Sequence, residues 1–204
     1  MRRRDFLISL AVCAAMPLRA IAAAALPYRE VKGPSEDASK VLAFFSLTCP
    51  SCRNIHVGLS RWSKTLPKKM AFEFTPVVLP DRQSVVGARA WYAAKLAGPA
   101  SLDTFAERAY ALIQDEGFSP DNPKLWRRAA AGAGIQGFEA AWQRVSPAQL
   151  ERAAGKLSAY NIQATPSVVI GGRFVITPDD TNGDISLFFN LANGMVSRVM
   201  GAPA

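Results

Sequence analysis

Two cysteines three residues apart, in Cys49-Pro50-Ser51-Cys52, are the residues of this 204-residue sequence best suited to chemistry. A thiol reacts as its thiolate, and a cysteine at the start of a helix is favoured in that form by unpaired backbone N–H groups and the helix dipole. A C-x-x-C pair closes too short a loop to staple distant parts of a fold, so its purpose is chemical rather than architectural. With Cys49 at a helix start, Cys52 lies about one turn further along the same face, within reach of a disulfide to Cys49 and covered by the helix itself. The pair then consists of an exposed attacker and a shielded resolver. Pro50 has no N–H to lose in the first turn and fixes φ there. Ser51 either turns its hydroxyl toward the thiolate or is only a solvated turn residue. Zinc sites also use C-x-x-C, and what favours the redox reading is the position of the pair between a buried strand and an amphipathic helix.

Those flanking elements are legible in the pattern of apolar residues. Lys40-Val41-Leu42-Ala43-Phe44-Phe45-Ser46 is a nearly continuous apolar run ending just before Cys49, as in a buried central strand. Ile55, Leu59 and Trp62 follow at helical spacing until Pro67, and Phe72 to Leu79 supplies a second strand. The three form a β-α-β unit with a parallel pair. From Val85 to about Tyr160 the period becomes helical: Leu102, Phe105, Ala106, Ala109, Leu112 and Ile113 line one face, and Phe138, Ala141, Trp142 and Val145 another. Ser146-Pro147-Ala148-Gln149 reads as a capping box with proline at the first helical position. Breaks at Gly98-Pro99, Gly117 to Pro123 and Gly132 to Gly137 divide the region into short helices. Strands return at Ser167 to Ile170 and Arg173 to Ile176, joined through Gly171-Gly172 as a tight hairpin. Ile185, Phe188, Leu191, Ala192, Met195 and Val199 form a closing helical stripe. The predicted fold is α/β: a thioredoxin-like core, β-α-β then β-β-α, with a helical subdomain inserted at about residues 84–160.

Residues 1–25 have the layout of a secretory signal peptide: the bases Arg2-Arg3-Arg4, an apolar stretch from Phe6 to Met16 and the small run Ala22 to Ala25. Arg3-Arg4-Asp5-Phe6-Leu7 resembles the twin-arginine signature that addresses folded proteins for export. The mature chain is then 26–204, in an oxidising compartment. An uncleaved anchor is the alternative, although Pro17 and Arg19 interrupt the apolar stretch. Cys13 lies within this leader and is lost on cleavage. Half of the residues are apolar, 20 % are charged and the formal charge is +8, to which the leader contributes Arg2, Arg3, Arg4 and Arg19 against the single acid Asp5. The remaining bases are scattered among acids, so no nucleic-acid footprint is evident.

Phe44-Phe45-Ser46-Leu47-Thr48-Cys49-Pro50-Ser51-Cys52 resembles the active-site stretch of the DsbA-type thiol:disulfide oxidoreductases of the bacterial periplasm, and the order of elements agrees over nearly all of residues 40–200. The resemblance implies a thioredoxin fold with an inserted helical domain and a redox-active Cys49–Cys52 disulfide. It also implies a cis-proline loop facing the C-x-x-C, for which Ala164-Thr165-Pro166-Ser167 is the candidate, Thr165 and Pro166 binding an extended substrate by strand-like pairing. An ordinary trans-proline opening a strand is the plainer alternative. Substrates would be cysteine-containing exported proteins, and re-oxidation would need a quinone-linked DsbB-type membrane partner. The chain has no flavin or nucleotide motif, and a monomer without cofactor or metal is expected.

Two departures from the family stand out. Many relatives carry an acid six residues before the first cysteine, where this chain has Ala43, so water or another group must take the proton of Cys52. Ser51 stands where the strongest oxidants have histidine, which leaves the direction of the reaction open between oxidase and reductase. A DsbC-type isomerase would need an N-terminal dimerisation domain, for which 26–39 is too short. Arg53 either lends charge to the thiolate or is an exposed helix-surface side chain or a substrate-facing charge. His56, the single histidine, stands about 10 Å up the helix axis from Cys49, too far for a cysteine-protease base. As the i+4 neighbour of Cys52 it leaves open a Cys-Cys-His metal cluster. A metal-carrying or chaperone-like module is therefore the reading from outside enzymology.

Overall fold

The computed structural model describes residues 26–201, so the leader reading, Cys13 included, lies outside the described residues. Strands β1 (Arg29–Glu30), β2 (Lys40–Phe45), β3 (Ala71–Pro76), β4 (Ser167–Ile170) and β5 (Phe174–Ile176) form a central five-stranded sheet of order β1-β5-β4-β2-β3. Strand β2, Lys40–Phe45, is buried from Val41 onward because it is covered on both faces, which is why its sequence is a continuous apolar run rather than an alternating one. Val41 and Ala43 pack under helix α1, Pro50–Ser63, and helix α7, Ile185–Gly201, against Ile55, Leu59, Phe188 and Ala192. Leu42 and Phe44 face the other way, against Tyr160 and the partly buried Leu157 and Ile162.

Strand β3, Ala71–Pro76, runs parallel to β2 with Lys40 opposite Ala71 and Phe45 opposite Pro76. It stops at Pro76 instead of continuing to Leu79, and a proline with no N–H is tolerated there because β3 is an edge strand. On its other side β2 pairs antiparallel with β4, Ser167–Ile170, so that Phe44 lies opposite Ser167. The connection to β5, Phe174–Ile176, is one residue longer than the expected two-residue hairpin: Ile170 lies opposite Phe174, so Arg173 belongs to the loop rather than to the strand, and its N–H donates to Ile170 O at 3.1 Å, while Gly171 and Gly172, at φ +60° and +64°, take the left-handed conformations of the turn.

Lys40 does not open the first strand. A two-residue strand β1, Arg29–Glu30, precedes it and pairs antiparallel with β5. Both residues are exposed at the sheet edge, so no apolar alternation marks them in the sequence.

Helices α2 (Arg82–Ala97), α3 (Leu102–Tyr110), α4 (Pro123–Gly132), α5 (Phe138–Arg144) and α6 (Pro147–Ala159) lie between β3 and β4 and share a core of Trp91, Phe105, Ala106, Leu125, Trp126 and Phe138. The side chains of Asp81, Asn122 and Ser146 each accept a backbone N–H at the starts of α2, α4 and α6. The cluster is continuous with Phe45, Leu47 and Cys52, so the end of β2 and the start of α1 are packed directly against the helical layer.

A buried polar knot joins the two layers elsewhere. Asp37 is fully buried and accepts from Lys40 Nζ at 2.8 Å, Lys156 Nζ at 3.0 Å and the Tyr160 hydroxyl at 2.8 Å. Arg29 Nη2 donates to the carbonyls of Tyr160 and Asn161 at 2.9 and 3.0 Å. Gly33 runs so close to the Tyr160 ring that a Cβ there would stand 2.2 Å from it. The end of α6, from which the chain continues toward Pro166, is thereby held from two sides. Burial pushes the Asp37 carboxyl upward in pKa, but the hydrogen bonds from Lys40, Tyr160 and Lys156 outweigh it and leave the group below its ordinary value.

Tyr160→Phe should cost about 1–3 kcal/mol at neutral pH, because it strips one donor from a buried carboxylate. Since a carboxyl with a lowered folded pKa stabilises above the ordinary carboxylate range and loses that contribution as pH falls through the folded value, the gap between wild type and variant should narrow in acid. Urea unfolding midpoints at neutral and acid pH measure both, and an unchanged midpoint at neutral pH would remove the knot as a source of stability.

Candidate active site

The backbone turns sharply where β2 ends. Cys49 N–H donates to Ser46 O at 3.1 Å, and the Ser46 hydroxyl accepts from Thr48 N–H at 3.2 Å, which ties the three residues between strand and helix into a compact corner. Cys49 itself is the N-cap of α1, in an extended conformation at φ −86° and ψ 117°. Its sulfur accepts the Cys52 backbone N–H at 3.2 Å, taking the place that a serine or aspartate oxygen takes at most helix starts. Pro50 occupies the first turn, where a missing N–H costs nothing.

Cys52 is only 1 % exposed, whereas Cys49 is partly open to solvent, and both are free thiols. The Cys49 thiol is held down to about 6, first by the Cys52 S–H donating to its sulfur; burial opposes this, and the Thr165 hydroxyl and the N–H groups of Cys52 and Ser51 add to it. Cys52 is pushed well above the usual thiol range, first because it keeps its proton in that bond and then because it is buried. The attacker and the resolver thus differ in charge before any substrate arrives.

The Thr165–Pro166 peptide bond is cis, and the Thr165 carbonyl lies 3.2 Å from Cys49 Sγ, which donates to it only while the thiol is protonated. Ser167 Oγ donates to Ala164 O at 2.7 Å and closes the turn that leads into β4. Two segments separated by more than a hundred residues therefore meet at one sulfur, because β2 and β4 are direct neighbours and their ends lie side by side. Ser51 is exposed, and its contribution to Cys49 comes from its backbone N–H rather than its hydroxyl.

Arg53 points away from the cysteines. Its guanidinium makes a bidentate pair with Asp115, both contacts at 2.7 Å, across to the wide turn Ala111–Asp115 that follows α3. Of its two sequence readings, the helix-surface one describes the structure. His56 is 3 % exposed, stacked on Phe74 at 4.4 Å between centroids, with Tyr110 edge-on at 5.8 Å and its Nε2 3.5 Å from Asp103 Oδ1. Among the described residues no group of three His, Cys, Asp or Glu side chains is arranged to hold a metal ion.

A cleft of about 520 Å³ opens beside Cys49 and Thr165, with Leu47, Val77, Leu79, Trp126 and Ile162 in its walls and Ser84 and Gln83 at its polar side. No local sequence signal marks it, since its walls come from four distant segments. The same holds for Tyr110, Asp103 and the Thr165 hydroxyl, which reach the neighbourhood of the cysteines only through helix packing.

The sequence profile of the family described as Thioredoxin matches residues 29–184. Among characterised proteins the chain is similar to the thiol:disulfide interchange proteins DsbA of Bordetella parapertussis and Bordetella bronchiseptica, each 25 % identical over 150 residues that cover 71 % of this chain and 70 % of the relative. Among solved structures it resembles the oxidoreductase DsbA of Xylella fastidiosa, with a TM-score of 0.68 at 24 % identity over 86 % of this chain and 96 % of that one. It also resembles Pseudomonas aeruginosa DsbA, with a TM-score of 0.66 at 20 % identity over 84 % and 94 %. These structures share the helical insertion between the halves of a thioredoxin core. With a C-x-x-C at the head of α1 and a cis-proline against it, the chain belongs to the thioredoxin family and is a DsbA-like thiol:disulfide oxidoreductase.

Proposed function

We propose that the protein introduces disulfides into exported proteins, with Cys49 as the exchanging sulfur and Cys52 as its resolving partner. The observation that carries this reading is the Cys49 sulfur at the α1 N-cap, partly open beside the cleft, with the Thr165 carbonyl 3.2 Å away and a buried Cys52 behind it. In the oxidising direction a substrate thiolate attacks Cys49 of the Cys49–Cys52 disulfide, and Cys52 leaves. A second substrate thiolate then attacks the substrate sulfur of the mixed disulfide and releases Cys49 as a thiolate. The features that hold Cys49 ionised make it a good leaving group in that second step and stabilise the reduced pair, so the disulfide is the reactive, oxidising form. Pro50 keeps the helix start rigid in both redox states, and the Ser51 backbone N–H supports the sulfur. Thr165 and Pro166 receive the substrate backbone in extended form, which places its cysteine against Cys49.

The twin-arginine leader at residues 1–25 supports a periplasmic site of action, and the names of the Bordetella relatives support disulfide interchange as the reaction class. After each turnover the pair is dithiol, so a membrane partner of DsbB type that passes electrons to quinone completes the cycle. The chain acts as a monomer in this reading.

Replacing Cys49 by serine should abolish oxidation of a dithiol peptide, whereas Cys52→Ser should accumulate Cys49-linked mixed disulfides on a non-reducing gel. Substantial and equal activity in both variants would sink the assignment. A glutathione titration should place the pair nearer the oxidising end of this enzyme class, about −120 mV, than thioredoxin's about −270 mV, and a thioredoxin-like value would make the protein a reductase.

The alkylation rate of the reduced protein should reach half its maximum near pH 6, the value to which Cys49 is lowered. Because a lowered folded pKa stabilises above the unfolded value and the contribution is lost as pH falls through the folded one, the reduced protein should gain on Cys49→Ser as pH rises from about 6 toward the ordinary thiol range. A half-maximum at the ordinary thiol pKa would show that the N-cap does not ionise the sulfur.

A further inference from the structure

Cys52 poses a chemical difficulty that its surroundings must answer. Its sulfur is buried, yet each cycle makes it a leaving group once and an attacking thiolate once, so a proton must arrive at and depart from a place that water scarcely reaches. Strand β2, Lys-Val-Leu-Ala-Phe-Phe, contains no carboxylate that could serve it. We propose that His56 carries that proton, with Asp103 holding the imidazole and connecting it to solvent. The proposal rests on the thiol exchange assigned above to Cys49 and Cys52.

The placement supports it. His56 follows Cys52 by four residues on α1, so both lie on the same buried face of the helix, with Cβ atoms about 5–6 Å apart. In this proposal the proton crosses that separation through one water, or directly after the Cys52 side chain rotates once it no longer donates to Cys49. His56 Nε2 is buried and has no hydrogen-bond partner within bonding distance, an arrangement that costs stability and calls for an explanation. The nearest acid, Asp103 Oδ1, stands 3.5 Å from it at the first turn of α3. Asp103 also accepts from the Ser60 hydroxyl at 2.5 Å, and its side chain is 49 % exposed, so charge received from the imidazole is passed to bulk water. Its carboxyl lies below the ordinary range, first because of His56 and against the opposing effect of burial, and is therefore the anion an imidazolium needs.

The remaining groups around the ring sort themselves by chemistry. Tyr110 on α3 packs edge-on to His56 and has a buried hydroxyl with no partner. Burial first, then the charges of Cys52 and Cys49, push its phenol far upward, so it stays protonated and does not hold the proton's counter-charge. Lys64 acts on Asp103 from beyond the end of α1. From β2, β3 and α2 the neighbours are the rings of Phe45, Phe74 and Trp91, none of which titrates.

The proton balance is as follows. When substrate thiolate attacks Cys49, the Cys49–Cys52 bond breaks and Cys52 leaves with its electron pair. The imidazolium of His56 then gives Cys52 a proton and becomes neutral. In the return direction neutral His56 takes the Cys52 proton, the Cys52 thiolate attacks Cys49 of a mixed disulfide, and the Cys49–Cys52 bond forms as the partner sulfur departs as a thiolate. The imidazolium is discharged to water beside Asp103.

The test isolates the return step. Reduced protein is mixed with excess oxidised glutathione, quenched with acid at intervals and separated by mass into reduced, glutathionylated and disulfide forms, at pH values from acid to mildly alkaline. In the wild type, resolution of the glutathione adduct should reach a plateau within the pH range tested. In His56→Gln, which keeps most of the volume without an imidazole base, it should be about 100-fold slower at neutral pH and rise roughly tenfold per pH unit without a plateau. Formation of the adduct, which uses Cys49 alone, should stay within about twofold of wild type. Asp103→Asn, at a half-exposed site, should shift resolution in the same direction by a smaller factor, and it decides the question if His56→Gln does not fold.

A wild-type pH profile in the folded variant overturns the proposal while leaving the cysteine roles intact, and so does an equal slowing of both steps, which would mark a packing role for the ring. If Cys49→Ser still formed the glutathione adduct, the failure would lie with the cysteine assignment itself.

Discussion

A sulfur atom accepting a backbone N–H at the first turn of a helix is the interaction on which the rest of this structure depends. The 3.2 Å contact from Cys52 N–H to Cys49 Sγ is ordinary N-capping geometry, but the acceptor is a titratable group rather than an alcohol. Capping and ionisation then become one event: the helix start is better satisfied by a thiolate than by a thiol, and the thiolate is better solvated by the helix start than by the apolar residues beside it. Pro50 follows in a position where its missing N–H removes nothing from this arrangement. The second cysteine adds the S–H that Cys49 also accepts, and its burial keeps the proton there.

The sheet supplies the other half of the site. Because β2 and β4 are antiparallel neighbours, with Phe44 opposite Ser167, the exit from β2 and the entry to β4 lie at the same end of the sheet. Cys49 and Thr165 are therefore neighbours by topology, and the cis bond before Pro166 leaves the Thr165 carbonyl against the sulfur. What holds the approach to that loop is far from it. Arg29, Gly33, Asp37 and Tyr160 clasp the end of α6, and they do so with a buried carboxylate that is fully supplied with donors, the condition under which a buried charge is tolerable. The short strand β1 ties the same N-terminal segment to β5.

The helical layer works by enclosure. Its core is continuous with Phe45, Leu47 and Cys52, so it buries the resolving sulfur and leaves the attacking one at the rim of the cleft. It also draws Arg53 away to Asp115, which leaves the partner thiol, the Thr165 hydroxyl and backbone N–H groups to govern Cys49. The ring of aromatics around His56 arises from the same packing, since Phe74, Trp91 and Tyr110 come from three different elements.

Local pattern alone was enough to identify the elements that carry the chemistry. The apolar run of β2, the helical spacing after Cys52, the Gly171-Gly172 turn and the stripe of α7 are each set by neighbours within a few residues, where periodicity and turn preferences act. The cysteine pair follows from residue type and position relative to those elements, and the candidate Pro166 from the resemblance to the DsbA-type family. Pairings across the fold were beyond its reach. Nothing in Arg29–Glu30 marks an edge strand, nothing in Ser35-Glu36-Asp37 announces a buried acid, and no spacing connects His56 to Asp103 or Arg53 to Asp115. Those contacts exist because packing two layers brings together residues far apart in the chain, and the energy of a charge or a buried ring depends on which neighbours arrive rather than on which residues flank it.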